Sequence, residues 1–306
     1  MKQIRYILFL IPVLAFFACE EPIDLKLKGM DQYYFVEGYM TTDSVNQYVY
    51  LKKTKNYMTN NTFESETAAD VKILEEESGT LCNVFALHFN TTTGRYETDS
   101  MIKGVPGRIY KLQVMINGFE ITASDTMRTP VPIDSLHLFE TRDTFAMFGG
   151  DTSFFYRLHV AVNFQDPLVT GDNYFFDTYW NGIKKTDTLI DKAYMSDYYA
   201  NGIYFPDIVV TQSSFFENPG DNSYSVKDGD VIMIEGANVN SKYMEYFGNI
   251  MQGYMSDGLP FMGPPSNPVG NILLNGNKKN GFGYFATRAV YRSSIVFDKT
   301  KVILLN

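Results

Sequence analysis

Tyr110-Lys111-Leu112-Gln113-Val114-Met115-Ile116-Asn117-Gly118-Phe119-Glu120-Ile121-Thr122-Ala123 alternates apolar and polar residues on either side of a central Asn-Gly pair. Tyr110, Leu112, Val114 and Ile116 share one face, and Phe119, Ile121 and Ala123 continue it. A period of two puts alternate side chains on one side of a pleated strand. Asn117-Gly118 supplies the positive φ angles of a type I′ turn, whose twist suits a two-residue hairpin. The stretch predicts two antiparallel strands with one buried face.

Upstream, Val45, Gln47, Val49 and Leu51 alternate with Asn46, Tyr48, Tyr50 and Lys52, and polar Gln47 interrupts one face. Residues 56–68 are polar and read as a loop. Val71–Glu75 and Arg95–Thr98 read as short strands. Leu81-Cys82-Asn83-Val84-Phe85 predicts a buried structural cysteine, and Glu75-Glu76-Glu77 a solvated strand end. Strands and turns at this spacing predict an immunoglobulin-like β-sandwich over 31–132. Thr129-Pro130-Val131-Pro132 ends it, because proline has no N–H for a ladder.

Residues 133–306 restart with Tyr156, Leu158, Val160, Val162 and Phe164 at alternate positions. Asn181-Gly182 marks a second hairpin, with a return strand expected over Ile183–Ile190. Residues 191–226 read as a long excursion, a length uncommon in loops without function or disorder. The period then changes. Tyr243, Tyr246, Phe247, Ile250, Met251 and Tyr254 recur at three and four, predicting one helix near 241–255 with Asn240 or Ser241 as its cap. Residues 257–270 are rich in Pro and Gly, and read as an ordered loop or lid. The chain closes with strands at Ile272–Leu274, Tyr284–Tyr291 and Ile295–Phe297. The whole is all-β: the N-terminal sandwich, then a larger antiparallel β-rich domain, sandwich or partly closed barrel, with one inserted helix.

Composition supports this class. The chain holds 22 Tyr and 24 Phe against one Trp, a bias that suits half-buried pleated surfaces. Its formal charge of −9 leaves no surplus to neutralise phosphates, so no nucleic-acid partner is expected. Two Cys and three His exclude a multi-cysteine zinc framework and a disulfide scaffold. His88, His137 and His159 are isolated, and Asp228-Gly229-Asp230 reads as a turn. Neither a Gly-x-Ser-x-Gly elbow nor a phosphate-binding glycine loop occurs. No catalytic residue, metal or cofactor is therefore assigned, and a non-enzyme is expected. Tyr194, Tyr198, Tyr199, Tyr204 and Phe205 lie in the excursion, as candidate contacts for a partner or ligand. Packing against the second domain's own sheet is the competing reading.

Lys2 and Arg5 precede a twelve-residue apolar run, Ile7–Ala18, broken only by Pro12. It is too short to span a bilayer, which needs about 20 residues, and has the length of a signal-peptide core. Phe16-Phe17-Ala18-Cys19 ends it and resembles the lipobox of bacterial lipoproteins, although Phe16 stands where Leu is usual. That resemblance implies a signal peptide over 1–18 and a lipid anchor on Cys19. Residues 19–30 form an acidic tether; Glu20, Glu21 and Asp24 resemble the surface-export signals of Bacteroidota lipoproteins. The expected location is the outer membrane, at the cell surface, with the periplasmic face as the alternative.

Several stretches in order carry a wider resemblance. They are Cys19-Glu20-Glu21-Pro22-Ile23-Asp24, Val36-Glu37-Gly38 with Thr42-Asp43, and Gly104-Val105-Pro106-Gly107 before Tyr110. Pro130-Val131-Pro132-Ile133-Asp134-Ser135-Leu136 follows, then Asp166-Pro167 before Asn173-Tyr174-Phe175, then Gly281-Phe282-Gly283-Tyr284-Phe285. Together they resemble the Bacteroidota lipoproteins grouped as domain of unknown function 4249. The resemblance implies an accessory or binding role beside a TonB-dependent outer-membrane receptor in nutrient capture or uptake. A structural or assembly factor of the outer membrane is the alternative, and a surface glycoside hydrolase a third reading. Asp-Ser/Thr-apolar triplets resemble O-glycosylation sites of that phylum's exported proteins, at Ser44, Ser100, Thr126, Ser135 and Thr188.

Overall fold

A computed structural model of the chain describes residues 33–53, 64–146, 152–218, 223–256, 268–277 and 281–305. Residues 1–18, expected as a signal peptide, Cys19 and the expected tether over 19–30 lie outside these residues. So does most of the Pro- and Gly-rich stretch, 257–267.

The first strands are β1 (Tyr34–Thr41), β2 (Tyr48–Lys53), β3 (Glu64–Ser65), β4 (Asp70–Glu77), β5 (Thr80–Asn90), β6 (Arg95–Thr98), β7 (Ile109–Ile116) and β8 (Phe119–Thr126). After Pro130–Pro132 come β9 (Ser135–Ala146), β10 (Thr152–Gln165), β11 (Asn173–Trp180), β12 (Ile183–Lys184), β13 (Ala193–Ser196), β14 (Tyr204–Val209) and β15 (Val231–Val239). Helix α1 (Ser241–Ser256), β16 (Leu273–Leu274), β17 (Gly281–Val296) and β18 (Ile303–Leu305) complete the order. The fold is all-β and sandwich-like, with large antiparallel sheets and, among the described residues, no closed barrel.

Local chemistry sets the first hairpin. Asn117 and Gly118 have φ of 49° and 79°, and Ile116 pairs with Phe119 across them. Tyr110, Leu112, Val114, Ile116, Ile121 and Ala123 are buried, whereas Phe119 at the turn is exposed. Gln47 lies fully inside without penalty. Its Oε1 accepts from Thr41 N at 3.0 Å, and its Nε2 donates to Ile102 O at 2.9 Å. A buried amide with partners for both ends costs little.

Two cores result. The first joins Val36, Val49, Leu51, Ile73, Leu112 and Val114. The second lies between the sheet β14-β10-β9-β18 and the β11-β15 part of the large sheet. There Leu158, Val160, Val162 and Phe164 from β10 pack with Tyr174 and Phe176 from β11 and with Ile232 and Ile234 from β15. Strand β17 belongs to both halves of the fold. Its first half runs parallel to β1, from Tyr34↔Gly281 to Thr41↔Arg288, and its second half runs antiparallel to β15. The chain thereby returns to the first core, supplying Ile272, Phe285 and Ala289. Asn271 fastens the return: Nδ2 donates to Ser124 O at 3.1 Å and Phe285 O at 2.7 Å.

Several segments differ from expectation. The 191–226 excursion is stitched to both sheets, with β13 pairing β11 and β14 pairing β10. Phe216 and Val226 from it are buried in the second core. The return strand after Asn181-Gly182 stops at Lys184, because Thr186 turns inward and donates to Asp177 at 2.7 Å. Cys82 is exposed, not buried. On β5 only Leu87–Asn90 pair with β6, so Thr80–Ala86 are flanked by β4 alone. Glu75 is buried, not solvated: Tyr110 Oη donates to it at 2.6 Å, and Arg108 sits 3.1 Å away. Helix α1 lays Tyr246, Phe247 and Met251 against the large sheet. The two residues expected to cap it reach to other segments. Asn240 Nδ2 donates to Asp125 at 2.6 Å, and Ser241 Oγ to Gly171 O at 3.4 Å.

Candidate functional site

Two loops beside the second core meet at one end of the layers that enclose it. The first follows β10, where Pro167 ends pairing, and carries Leu168 and Val169. The second joins β13 to β14 and carries Tyr198, Tyr199 and Ile203. Asn201 Nδ2 donates to Leu168 O at 3.1 Å, and Asp166 N donates to Ile203 O at 3.0 Å. Tyr198 and Tyr199 meet edge to face at 4.6 Å. Leu168 is 84% exposed, Tyr199 94% and Tyr198 78%. Val169, Ile203 and Tyr204 are exposed beside them. Large apolar side chains grouped this way on a surface mark an interaction site more often than isolated ones do.

Of the five aromatics singled out from sequence, three lie at this tip: Tyr198, Tyr199 and Tyr204. Tyr194 is exposed in part, but it stacks on Phe175 at 5.9 Å and meets Phe247 at 5.0 Å, beside α1. Phe205 is buried against Phe164 at 5.2 Å and is no contact for a partner. The β14 pleat sends Tyr204 out and Phe205 in. Leu168, Val169 and Ile203 were missed. Their only signal was apolar residues standing among turn formers, after Asp166-Pro167 and beside Asn201-Gly202.

Directly under the tip, Asp166, Asp172 and Asp197 bring carboxylate oxygens within 4.8 Å of one another, and all three are buried. Among the described residues these are the group able to hold a metal ion. Asp228-Gly229-Asp230 is a turn, as its sequence implies. Asp230 accepts from Asn181 Nδ2 at 2.9 Å, Lys227 N at 2.9 Å and Trp180 Nε1 at 3.1 Å, and these bonds hold its carboxyl below the usual range. His88 and His137 are exposed and bonded to Asp99 and Asp207, each at 2.8 Å. His159 stacks on Phe139 at 5.1 Å.

Two cavities flank α1. One, of about 600 Å³, lies between the helix and the outer side of β7 and β8, lined by Gln113, Thr122, Lys242, Asn249 and Tyr284. Tyr284 Oη is buried there without a hydrogen-bond partner among the described residues, and burial pushes its pKa up. The other, of about 290 Å³, holds Tyr39, Tyr48, Lys184, Lys192, Tyr243 and Arg288. Asp177 at its base is met by Arg288, Lys192 and Lys184. Neither cavity was legible in sequence, since each is assembled from segments more than a hundred residues apart.

Ser44, Ser100, Thr126 and Thr188 are exposed, and Ser135 is half-buried, accepting from Asn163 Nδ2 at 3.0 Å. Among the described residues no helix is long and apolar enough to cross a membrane. No curated protein and no solved structure gives a significant match. The family model described as Domain of unknown function (DUF4249) matches residues 20–294. That span takes in the first core, most of the second and nearly all of the strand that joins them, so the chain belongs to the DUF4249 family.

Proposed function

We propose that this protein is a Bacteroidota lipoprotein, anchored through Cys19 in the outer membrane and displayed at the cell surface. It acts there as a non-enzymatic binding or accessory component of a TonB-dependent receptor in nutrient capture or uptake. The observation that carries the docking role is the exposed tip of Leu168, Val169, Tyr198, Tyr199, Ile203 and Tyr204. Aromatic groups of this size contribute most where they are desolvated against a partner. The anchor reading rests on the basic start, the short apolar run and Ala18-Cys19. The close carboxylates Asp166, Asp172 and Asp197 are enclosed rather than ranged along a cleft, which supports binding over glycoside hydrolysis.

Mild-detergent purification of the tagged protein from its own outer membrane, with partners identified by mass spectrometry, tests the role. Stoichiometric recovery of a TonB-dependent receptor is expected, and its loss in the Tyr198→Ala, Tyr199→Ala double variant. Recovery of the wild-type lipoprotein alone, or unchanged recovery with the double variant, would overturn the proposed docking.

A further inference from the structure

The three carboxylates beneath the tip are short of positive charge. Asp166, Asp172 and Asp197 are 2%, 3% and 1% exposed. Among the described residues Arg128 alone is ion-paired with any of them: its Nη2 lies 2.5 Å and its Nε 2.9 Å from Asp172 Oδ1. Asn238 Nδ2 also donates to that oxygen, at 2.8 Å. The other oxygen, Asp172 Oδ2, is buried and has no hydrogen-bond partner among the described residues. A buried carboxylate oxygen with no donor is costly, since it has given up water for nothing. Around it, Asp166 accepts from Tyr174 Oη and from Gly202 N at 2.6 Å. Asp197 Oδ2 accepts from Gly171 N at 2.9 Å and Asp172 N at 3.0 Å. Those neutral donors fix the carboxylates in place but leave most of their charge uncancelled.

We propose that Asp166, Asp172 and Asp197 bind a divalent cation of the calcium type, which staples the two loops of the tip together. The donors are all oxygen, the chemistry of a hard cation. Calcium takes oxygens at about 2.3–2.6 Å, so two on opposite sides of one ion stand roughly 4.6–5.2 Å apart. The three carboxylates each place an oxygen within 4.8 Å of the other two, near enough for one such ion to meet all three. Magnesium gives up its water reluctantly and keeps several water ligands, which three carboxylates this deeply buried disfavour. Asp172 Oδ2 gains its missing partner in the ion. Asp166 and Asp172 lie on one loop and Asp197 on the other, so the ion crosslinks the segments that carry Leu168, Tyr198 and Tyr199. The site stands on these residues whether or not the tip meets a receptor.

The purified full chain, stripped with EDTA and moved into chelator-free buffer, is titrated with CaCl₂ and separately with MgCl₂. Calorimetry and thermal unfolding follow the titration. Calcium is expected to bind and to raise the melting temperature by about 5 °C at a hundredfold excess over Kd. Magnesium is expected to bind at least tenfold more weakly. Asp172→Asn keeps an acceptor for Arg128 and supplies an N–H where Oδ2 stands, so it is expected to fold and to lose the calcium response. Calcium binding that survives in Asp172→Asn would place the ion elsewhere, for instance on the acidic tether, and overturn the proposal. Should that variant not fold, terbium decides on the wild-type chain. Tyrosine-sensitised emission displaced by calcium is expected, because Tyr174 Oη donates to Asp166. No such emission, or no calcium binding by the wild-type chain, would also overturn the site.

Discussion

Arg288 Nη2 lies 3.2 Å from Asp177 Oδ2, although β17 and β11 are separated in the sheet by β15. The contact works because Asp177, Glu235 and Arg292 stand in cross-strand register, and Arg288 lies four residues from Arg292 on the same face. Asp177 is fully buried and also meets Lys192, Lys184 at 3.3 Å and Thr186 at 2.7 Å. Burial opposes its ionisation, but Arg288 and Lys192 outweigh that and hold its carboxyl well below the usual range.

Removing Arg288 leaves a buried carboxylate short of a partner. Arg288→Met should cost about 3–5 kcal/mol, the scale for breaking a buried pair. Urea unfolding at pH 7 measures this. A loss under about 1 kcal/mol would mean that Lys192 and Lys184 already satisfy Asp177. The same network weakens in acid. A depressed pKa contributes stability above the unfolded value near 3.9, and that stability is lost as pH falls further.

Asp125 behaves in the opposite sense. It ties β8 to β17 and to the start of α1, accepting from Thr287 N at 2.7 Å and Asn240 Nδ2 at 2.6 Å. Burial pushes its carboxyl up to about 6, against the pull of those donors. A raised pKa means the folded state holds the proton more tightly. Its contribution is complete below about pH 4 and is lost as pH rises through 6. The loss is on the order of 3 kcal/mol. Melting temperature against pH should therefore fall more steeply between pH 4 and 6 in the wild type than in Asp125→Asn. Parallel profiles would assign the slope to other groups.

What the sequence showed was local. The Tyr110–Ala123 hairpin and the α1 stripe of Tyr243, Tyr246, Phe247 and Met251 depend on neighbours within a few residues, so periodicity revealed them. Strand β17 is continuous from Gly281 to Val296, yet its sequence reads as two strands. Arg292, Ser293 and Ser294 break the apolar pattern, and Arg292 is polar because Glu235 and Asp43 await it, each at 2.5 Å. Its parallel partner β1 lies some 250 residues earlier, a pairing with no local signature. Tyr204 and Phe205 look alike in sequence, since strand register alone decides which one faces the core. Asp166, Asp172 and Asp197 have no motif spacing, because two loops bring them together.

The parallel pairing has a checkable weak point. Gly283 has φ +99°, and a Cβ there would lie 1.9 Å from Val36 O in the partner strand. Backbone cannot yield as a flexible side chain does. Gly283→Ala should destabilise by about 4 kcal/mol or more, or prevent folding. Gly118→Ala, with φ +79° and nothing within 4 Å, should cost only about 1–2 kcal/mol. Comparing the two melting temperatures separates crowding from backbone strain. Equal losses would mean that β1 and β17 part easily to admit the methyl group.

Thiol counting tests the surface and the anchor in one experiment. The chain has two cysteines, Cys19 and Cys82. Cys82 is exposed on the part of β5 that β6 does not cover, so it should react with Ellman's reagent in the native protein. Lipid on Cys19 occupies its sulfur as a thioether. Protein purified from its own membrane should then show one thiol per chain before denaturation and no more after it. An unreactive native thiol would mean that Cys82 is covered, for example by a partner on the β5 edge. A second thiol released by denaturant would remove the lipid from Cys19 and, with it, the membrane anchor on which the proposed receptor role depends.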